Sequence, residues 1–186
     1  MTEKQKMLNG YPYDSRDPEL LSLYHACRSS LAVFNNLDSK LSIQKQEILS
    51  SLFESIGENV WIEAPFYCDY GENISIGEGT FINVNCVFID NNKISIGKNC
   101  LLAPQVQIYT ASHPVESAKR IIDNRYITTT KPVTIGNHVW IGGNTVIFPG
   151  VTIGSHTTIG AGSVVTKDIP DHVLAFGNPC TIIRSI

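Results

Sequence analysis

The chain has 186 residues, 42% of them apolar, and a formal net charge of −3, enough length and apolar content for one well-buried core. The slight acidity argues against nucleic acid as a principal partner, and no run approaches the roughly 18 apolar residues of a membrane span. The start, Met1-Thr-Glu-Lys-Gln-Lys, lacks the apolar stretch of a signal peptide, and five cysteines without a CxxC pair read as the reduced thiols of a cytoplasmic protein.

Residues 1–55 read as a helical segment. Asp17-Pro18-Glu19 followed by Leu20, Leu21, Leu23, Tyr24, Cys27 and Leu31 predicts an N-capped helix with an apolar face. Ser42 followed by Glu47, Ile48, Leu49, Leu52, Phe53 and Ile56 predicts a second helix ending at Gly57. Both are expected to lie against the base of a repeat domain built by the rest of the chain.

Residues 56–171 carry that internal repeat. From Ile135 a branched apolar residue recurs at every sixth position: Ile135, Ile141, Ile147, Ile153, Ile159 and Val165. A small or β-branched residue stands four positions after each of the first five: Val139, Thr145, Val151, Thr157 and Ser163. The same register runs upstream through Ile76, Ile82, Phe88, Ile96, Leu102 and Ile108, with one two-residue insertion before Ile96. A period of six fits neither a helix nor an amphipathic strand. It fits one side of a triangular prism, a short strand and a bend, so that three units close a coil and roughly six coils are expected. Glycines 77, 97, 136, 142, 154 and 160 follow the apolar position directly, where a tight bend needs a small side chain or positive φ. The expected fold is all-β dominated, a parallel β-helix whose left hand is inferred from the repeat type. Its interior is solid, so function must lie in what interrupts the coils or lies between chains.

The register is lost through Thr110–Lys131 and resumes at Val133–Ile135. Long loops in compact folds are usually functional, and this excursion, 110–131, contains Thr110-Ala111-Ser112-His113-Pro114-Val115. An imidazole can take a proton from a hydroxyl near neutral pH. Further on, Trp140-Ile141-Gly142-Gly143-Asn144 offers two consecutive glycines, which let a ligand approach the backbone and leave N–H groups for an oxyanion. His138 and His156, eighteen residues apart, should stack one coil above the other. They invite comparison with a zinc site, but the third protein ligand of a catalytic zinc has no candidate, since His25 and His172 lie in the terminal segments and His113 in the excursion. After Val165, Thr166-Lys167-Asp168-Ile169-Pro170 closes the last coil and Gly177-Asn178-Pro179 turns back a tail, residues 172–186.

Taken in order, Phe66-Tyr67-Cys68-Asp69-Tyr70-Gly71-Glu72-Asn73-Ile74, Thr110–Val115, Lys131-Pro132-Val133-Thr134-Ile135-Gly136-Asn137, Val139–Gly143, Gly160–Pro170 and Gly177-Asn178-Pro179-Cys180 resemble the maltose and galactoside O-acetyltransferases. The resemblance covers essentially the whole chain. It implies a homotrimer of left-handed prisms with active sites between subunits, acetyl-CoA as co-substrate, a small sugar or glycoside as acceptor, and no metal. Carried over by position, it implies His113 as base and the Gly143 N–H as holder of the thioester carbonyl. A coenzyme A groove would run past Gly143, Ala161, Thr166 and Lys167 to Arg184, and the acceptor would meet Asp14, Asp69, Asn83, Asp90 and Asn91. The chain departs from the family where Leu23-Tyr24-His25-Ala26-Cys27 replaces most of a basic cluster, Arg28 remaining. Thr181 stands where Arg or Lys is frequent, and the 113–131 loop is longer by a few residues. The rival readings are the same transfer to an antibiotic alcohol, an amino sugar or a serine, a zinc-dependent hydratase, and a non-catalytic scaffold.

Overall fold

The protein is described by a computed structural model covering residues 1–186. Three parallel sheets form the faces of a prism. Face A stacks Ser55–Ile56, Ile74–Ile76, Ile94–Ile96, Val133–Ile135 and Thr152–Ile153. Face B stacks Trp61–Ile62, Phe81–Ile82, Leu101–Leu102, Trp140–Ile141, Thr158–Ile159 and Val173–Phe176, and face C stacks Tyr67–Cys68, Val87–Ile89, Gln107–Tyr109, Val146–Ile147 and Val164–Val165. The chain thus completes five coils and part of a sixth, which Ile169 joins through a bridge to Ile153.

Most strands are only two residues long, one side chain out and one in: Trp140 is 54% exposed while Ile141 is fully buried. So short a strand makes its ladder bonds only with the coils above and below, as Gly142 N–H does with Ile159 O at 2.8 Å. The repeat positions Ile82, Leu102, Ile141 and Ile159 form one apolar column inside the prism.

The bends divide the expected glycine roles between two positions. The repeat glycines do not have positive φ; they are needed for closeness. A Cβ at Gly77 would lie 2.6 Å from the Gly97 carbonyl carbon, and one at Gly142 would lie 2.4 Å from the Ala161 nitrogen. Positive φ falls two residues later, at Asn99 (53°), His138 (55°), His156 (57°) and His172 (56°) on the corner between faces A and B, and at Asn85, Gln105 and Asn144 on the corner between B and C. Asn and His are among the non-glycine residues that tolerate this region best.

The N-terminal segment closes one end of the prism. Helix α1 spans Glu3–Leu8, α2 Pro18–Asn36 and α3 Ser42–Leu52. Asp17 caps α2 through its side chain and Pro18 starts it, as the sequence predicts. Cys27, Leu31 and Phe34 of α2 and Leu49 of α3 join the same apolar core as the first coil. Asn35 imitates a strand, giving an N–H to Phe66 O at 3.0 Å and accepting Phe66 N–H at 2.9 Å. Helix α3 ends at Leu52 rather than Gly57, because Glu54 N–H and Gly57 N–H already pair with face A at Ile74 O and Ile76 O. At the other end the tail strand Thr181–Ser185 runs antiparallel to Val173–Phe176 and covers the last coil. The chain therefore closes at Val173–Phe176, beyond Pro170. No helix is long and apolar enough to cross a membrane.

The excursion is a small antiparallel sheet rather than a structureless loop. Its long strand Arg125–Thr130 lies between Ala111–Ser112 and the N-terminal strand Tyr13–Asp14, with Ile121–Ile122 alongside.

Gly77→Ala should destabilise the protein by about 1–3 kcal/mol, since both partners in the clash are backbone. Thr134→Ala, on the exposed side of face A, should stay within about 0.5 kcal/mol. Urea denaturation of the two variants checks the contrast.

Candidate functional site

The residues singled out by the sequence fall into two sets, at different corners of the prism. The corner between faces C and A carries Asp69, Asp90, Asn91 and the excursion with His113. The corner between B and C carries Asn83, Gly143 and Ala161.

At the first corner a cleft of about 270 Å³ is lined by Ser15, Arg16, Leu20, Leu21, Tyr24, Asp69, Tyr70 and Asn91. One wall is apolar and aromatic, from α2, and the other polar, from the corner. Asp69 pairs with Arg28 at 3.1 Å. Burial pushes the Asp69 carboxyl upward and the Arg28 charge pulls it back. Arg28 also lies 4.8 Å over the Tyr24 ring. Asn91 is buried beside the Tyr13 and Tyr70 hydroxyls, which lie within its hydrogen-bonding reach.

Asp90 is fully buried and does not line the cleft. Its Oδ1 accepts the N–H groups of Asp69 (2.8 Å) and Tyr70 (2.9 Å), and its Oδ2 accepts that of Gly71 (2.7 Å). Burial drives its carboxyl up to about 6, against the pull of those three donors. Asp90 therefore shapes the turn that presents Asp69. Asp14 is likewise set beside the cleft, its Oδ1 accepting Arg16 N–H at 3.0 Å.

His113 is exposed, and its Nδ1 lies 2.9 Å from Ile127 O on the long strand. A carbonyl oxygen only accepts, so Nδ1 carries the hydrogen and Nε2 of the neutral ring keeps its lone pair. Asn92, which sequence reasoning passes over, anchors the excursion: its Nδ2 reaches Thr130 Oγ1 at 2.9 Å and Leu8 O at 3.2 Å, while its N–H reaches Thr110 Oγ1 at 2.8 Å. The two ends of the excursion and α1 are thereby tied to one buried amide.

At the second corner Gly143 N–H donates to nothing within the chain. A Cβ there would come 3.1 Å from Pro104 O. By register Gly143 stands one coil above Pro104, and Asn144 above Gln105. Gly142, in contrast, is small because the coil above presses on it. Ala161, Thr166, Lys167 and Arg184 are all exposed near the C-terminal end.

The histidines are corrected in one respect. His172 is not outside the column: the rings of His138, His156 and His172 stack with centroids 4.8 Å apart and planes within 15° and 2°. Parallel rings aim their nitrogens alongside one another, and no group of His, Cys, Asp or Glu converges on a metal position.

With this geometry in place, the comparisons identify the class and then the family. Residues 132–167 match the bacterial transferase hexapeptide (six repeats), which makes the prism that of a hexapeptide-repeat transferase. Residues 6–57 match the maltose acetyltransferase hexapeptide capping motif. A maltose O-acetyltransferase from Clostridium difficile 630 is 47% identical, with TM-score 0.97 over 100% of this chain and 98% of that one. A galactoside acetyltransferase solved in complex with coenzyme A is 38% identical, with TM-score 0.95 over 100% and 92% of the two chains. A hexapeptide-repeat acetyltransferase from Vibrio cholerae O1 biovar eltor, complexed with acetyl coenzyme A, is 38% identical, with TM-score 0.90 over 100% and 98%. The chain belongs to the maltose and galactoside O-acetyltransferase family of hexapeptide-repeat acyltransferases, and it is an acetyltransferase that uses acetyl-CoA.

Asp90→Asn keeps an acceptor for two of the three N–H groups but turns an amide N–H toward that of Gly71. The expected loss is about 1–3 kcal/mol, a fall in melting temperature of about 2–10 °C. A thermal melt checks it.

Proposed function

We propose that the protein transfers an acetyl group from acetyl-CoA to a hydroxyl of a small sugar or glycoside, by direct attack within a ternary complex. His113 takes the proton from the acceptor hydroxyl, and that oxygen attacks the thioester carbonyl. The Gly143 N–H receives the oxyanion, and its collapse breaks the C–S bond, the leaving coenzyme A sulfur taking up the proton that His113 had removed. The observation that carries this reading is the His113 ring, held by Ile127 O so that Nε2 is the free base. Four of the five cysteines are buried in the prism or beneath α2, which favours direct transfer over an acetyl-cysteine intermediate.

The acceptor side rests on the cleft. Asp69 and Asn91, which line it beside Ser15 and Arg16, suit an acceptor rich in hydroxyl groups, each of which both donates and accepts. Asp14 flanks this group and Asp90 supports it. The donor side follows Gly143, Ala161, Thr166, Lys167 and Arg184.

Base and oxyanion donor sit on adjacent corners of one chain, separated by face C, a span of about 15 Å for the four or five residues between corners. A site that unites them needs the corner of a neighbouring chain, and Asn83, on the Gly143 corner, would reach the acceptor from there. Face B supports such an assembly, since Trp61, Phe81, Leu101 and Trp140 form an aligned outward column. Trp61, Leu101 and Trp140 are each at least 50% exposed, and aligned apolar surface of this kind marks an interface. The assembly proposed is a homotrimer. Sedimentation should give three times the 20.5 kDa chain mass, and Trp140→Glu should shift it toward the monomer with loss of transfer.

His113→Ala should lower acetyl transfer by at least ~10²-fold while the melt is unchanged, because the side chain is exposed. Gly143→Pro copies Pro104, the residue at this position in the coil below, and deletes the N–H; because its Cβ would lie 3.1 Å from Pro104 O, a thermal melt accompanies the assay to show that the fold is kept. The kcat of this variant should fall by ~10²–10³-fold. Thiol release from acetyl-CoA against a panel of glucosides, galactosides, maltose and amino sugars measures both. A near-normal rate in His113→Ala would remove the base assignment.

A further inference from the structure

We propose that Arg16 is a positioning residue for His113, acting through Tyr126; the inference rests on His113 being the base. The guanidinium of Arg16 lies 3.8 Å over the centre of the Tyr126 ring. The chain beside it is fastened to the same residue, with Ser15 N–H and Ser15 Oγ each 3.3 Å from Tyr126 O. One step along the strand, Ile127 pairs with Asp14, and Ile127 O accepts the Nδ1 hydrogen of His113. The carbonyl that sets the tautomer of the base is therefore adjacent to the residue that Arg16 clamps.

The clamp falls where it is needed. Thr128 and Thr130 are buried and hold the far half of the long strand, whereas residues 115–125 are all exposed and are tied back only within the excursion, through Arg120 to Pro114 O, Val115 O and Ile127 N–H. Tyr126 marks the change between the two, so the Arg16 stack is the last side-chain hold before the strand runs out into the exposed hairpin. Arg16 also lines the acceptor cleft. One residue of the N-terminal segment thus touches the place where the acceptor would lie and the strand that aims the base. Planar stacking of this kind suits arginine and not lysine.

The test is steady-state acetyl transfer with an acceptor that the wild-type protein accepts, on the full chain. Arg16→Ala and Tyr126→Ala should each lower kcat about three- to tenfold with the KM for acetyl-CoA unchanged, and the double variant should be no worse than either single one. Arg16→Lys should resemble Arg16→Ala, whereas Tyr126→Phe should keep the wild-type rate. In a His113→Ala background and at saturating acceptor, Arg16→Ala should not lower the residual kcat further, whatever it does to the acceptor KM through the cleft, an outcome that a merely structural role would not give. Nitrogen NMR of the His113 imidazole should show Nδ1 protonated in the wild type and a tautomer mixture in Arg16→Ala. Three results overturn the proposal: an unchanged kcat in Arg16→Ala, a rise only in acceptor KM, or an equal loss with and without His113. If His113→Ala itself keeps its rate, the base assignment falls first, and the two failures are told apart by that variant alone.

Discussion

Everything in this molecule depends on one coil lying directly on the next at the spacing of adjacent strands, about 4.8 Å. Strands of two residues cannot stabilise themselves, so each coil exists only as the template of its neighbours. That spacing removes the Cβ from Gly77, Gly97, Gly136, Gly142 and Gly154, where the next backbone would lie within 2.6 Å of it. The same spacing brings the three corner histidines to 4.8 Å from ring to ring. Their stack results from the repeat and is built on left-handed backbone positions, so it is explained without a bound ion. The two open ends then become the liabilities of the fold, and α2 with α3 and the tail strand cover them.

A filled prism has no pocket, so chemistry is displaced to its corners, and the excursion gives the corner between faces C and A its depth. It can leave the register without loosening the coils because Asn92 receives both of its ends, Thr110 and Thr130, together with the end of α1. The N-terminal segment is then more than a cap. Its strand Tyr13–Asp14 is hydrogen-bonded to the strand beside His113, and α2 supplies Leu20, Leu21 and Tyr24 to the cleft and pairs Arg28 with Asp69. The end cap and the proposed active centre are one construction.

The architecture is legible in the sequence because a six-residue period has few physical solutions, and the period survives any choice of outward residue. Less is legible wherever the signal depends on distance in sequence. Arg28 and Asp69 are 41 positions apart, and nothing local in either announces the pair. The resemblance implies Asp90 as an acceptor contact, and nothing in the local sequence tells whether its carboxylate faces a ligand or the backbone. Only the fold shows that three backbone donors surround it. His172 escapes the count because the last corner is short: it comes sixteen residues after His156 where the repeat takes eighteen, though the column continues. The excursion strand Arg125–Thr130 is rich in threonine and lacks an apolar alternation, which makes it look like loop. His113 and Gly143 can be singled out, but not that they stand on different corners.

That last separation gives the proposed assembly its physical meaning. The coils find their backbone partners within one chain, yet that chain holds the proposed base and the proposed oxyanion donor a prism face apart. Association through face B would cover an apolar column and bring unlike corners together in the same step. Stability and activity are then divided between two levels of structure: the repeat supplies the first within the chain, and the contact between chains supplies the second. On this reading, substitutions inside the prism should affect folding, and those on the outward residues of face B should affect catalysis while leaving the fold of the chain alone.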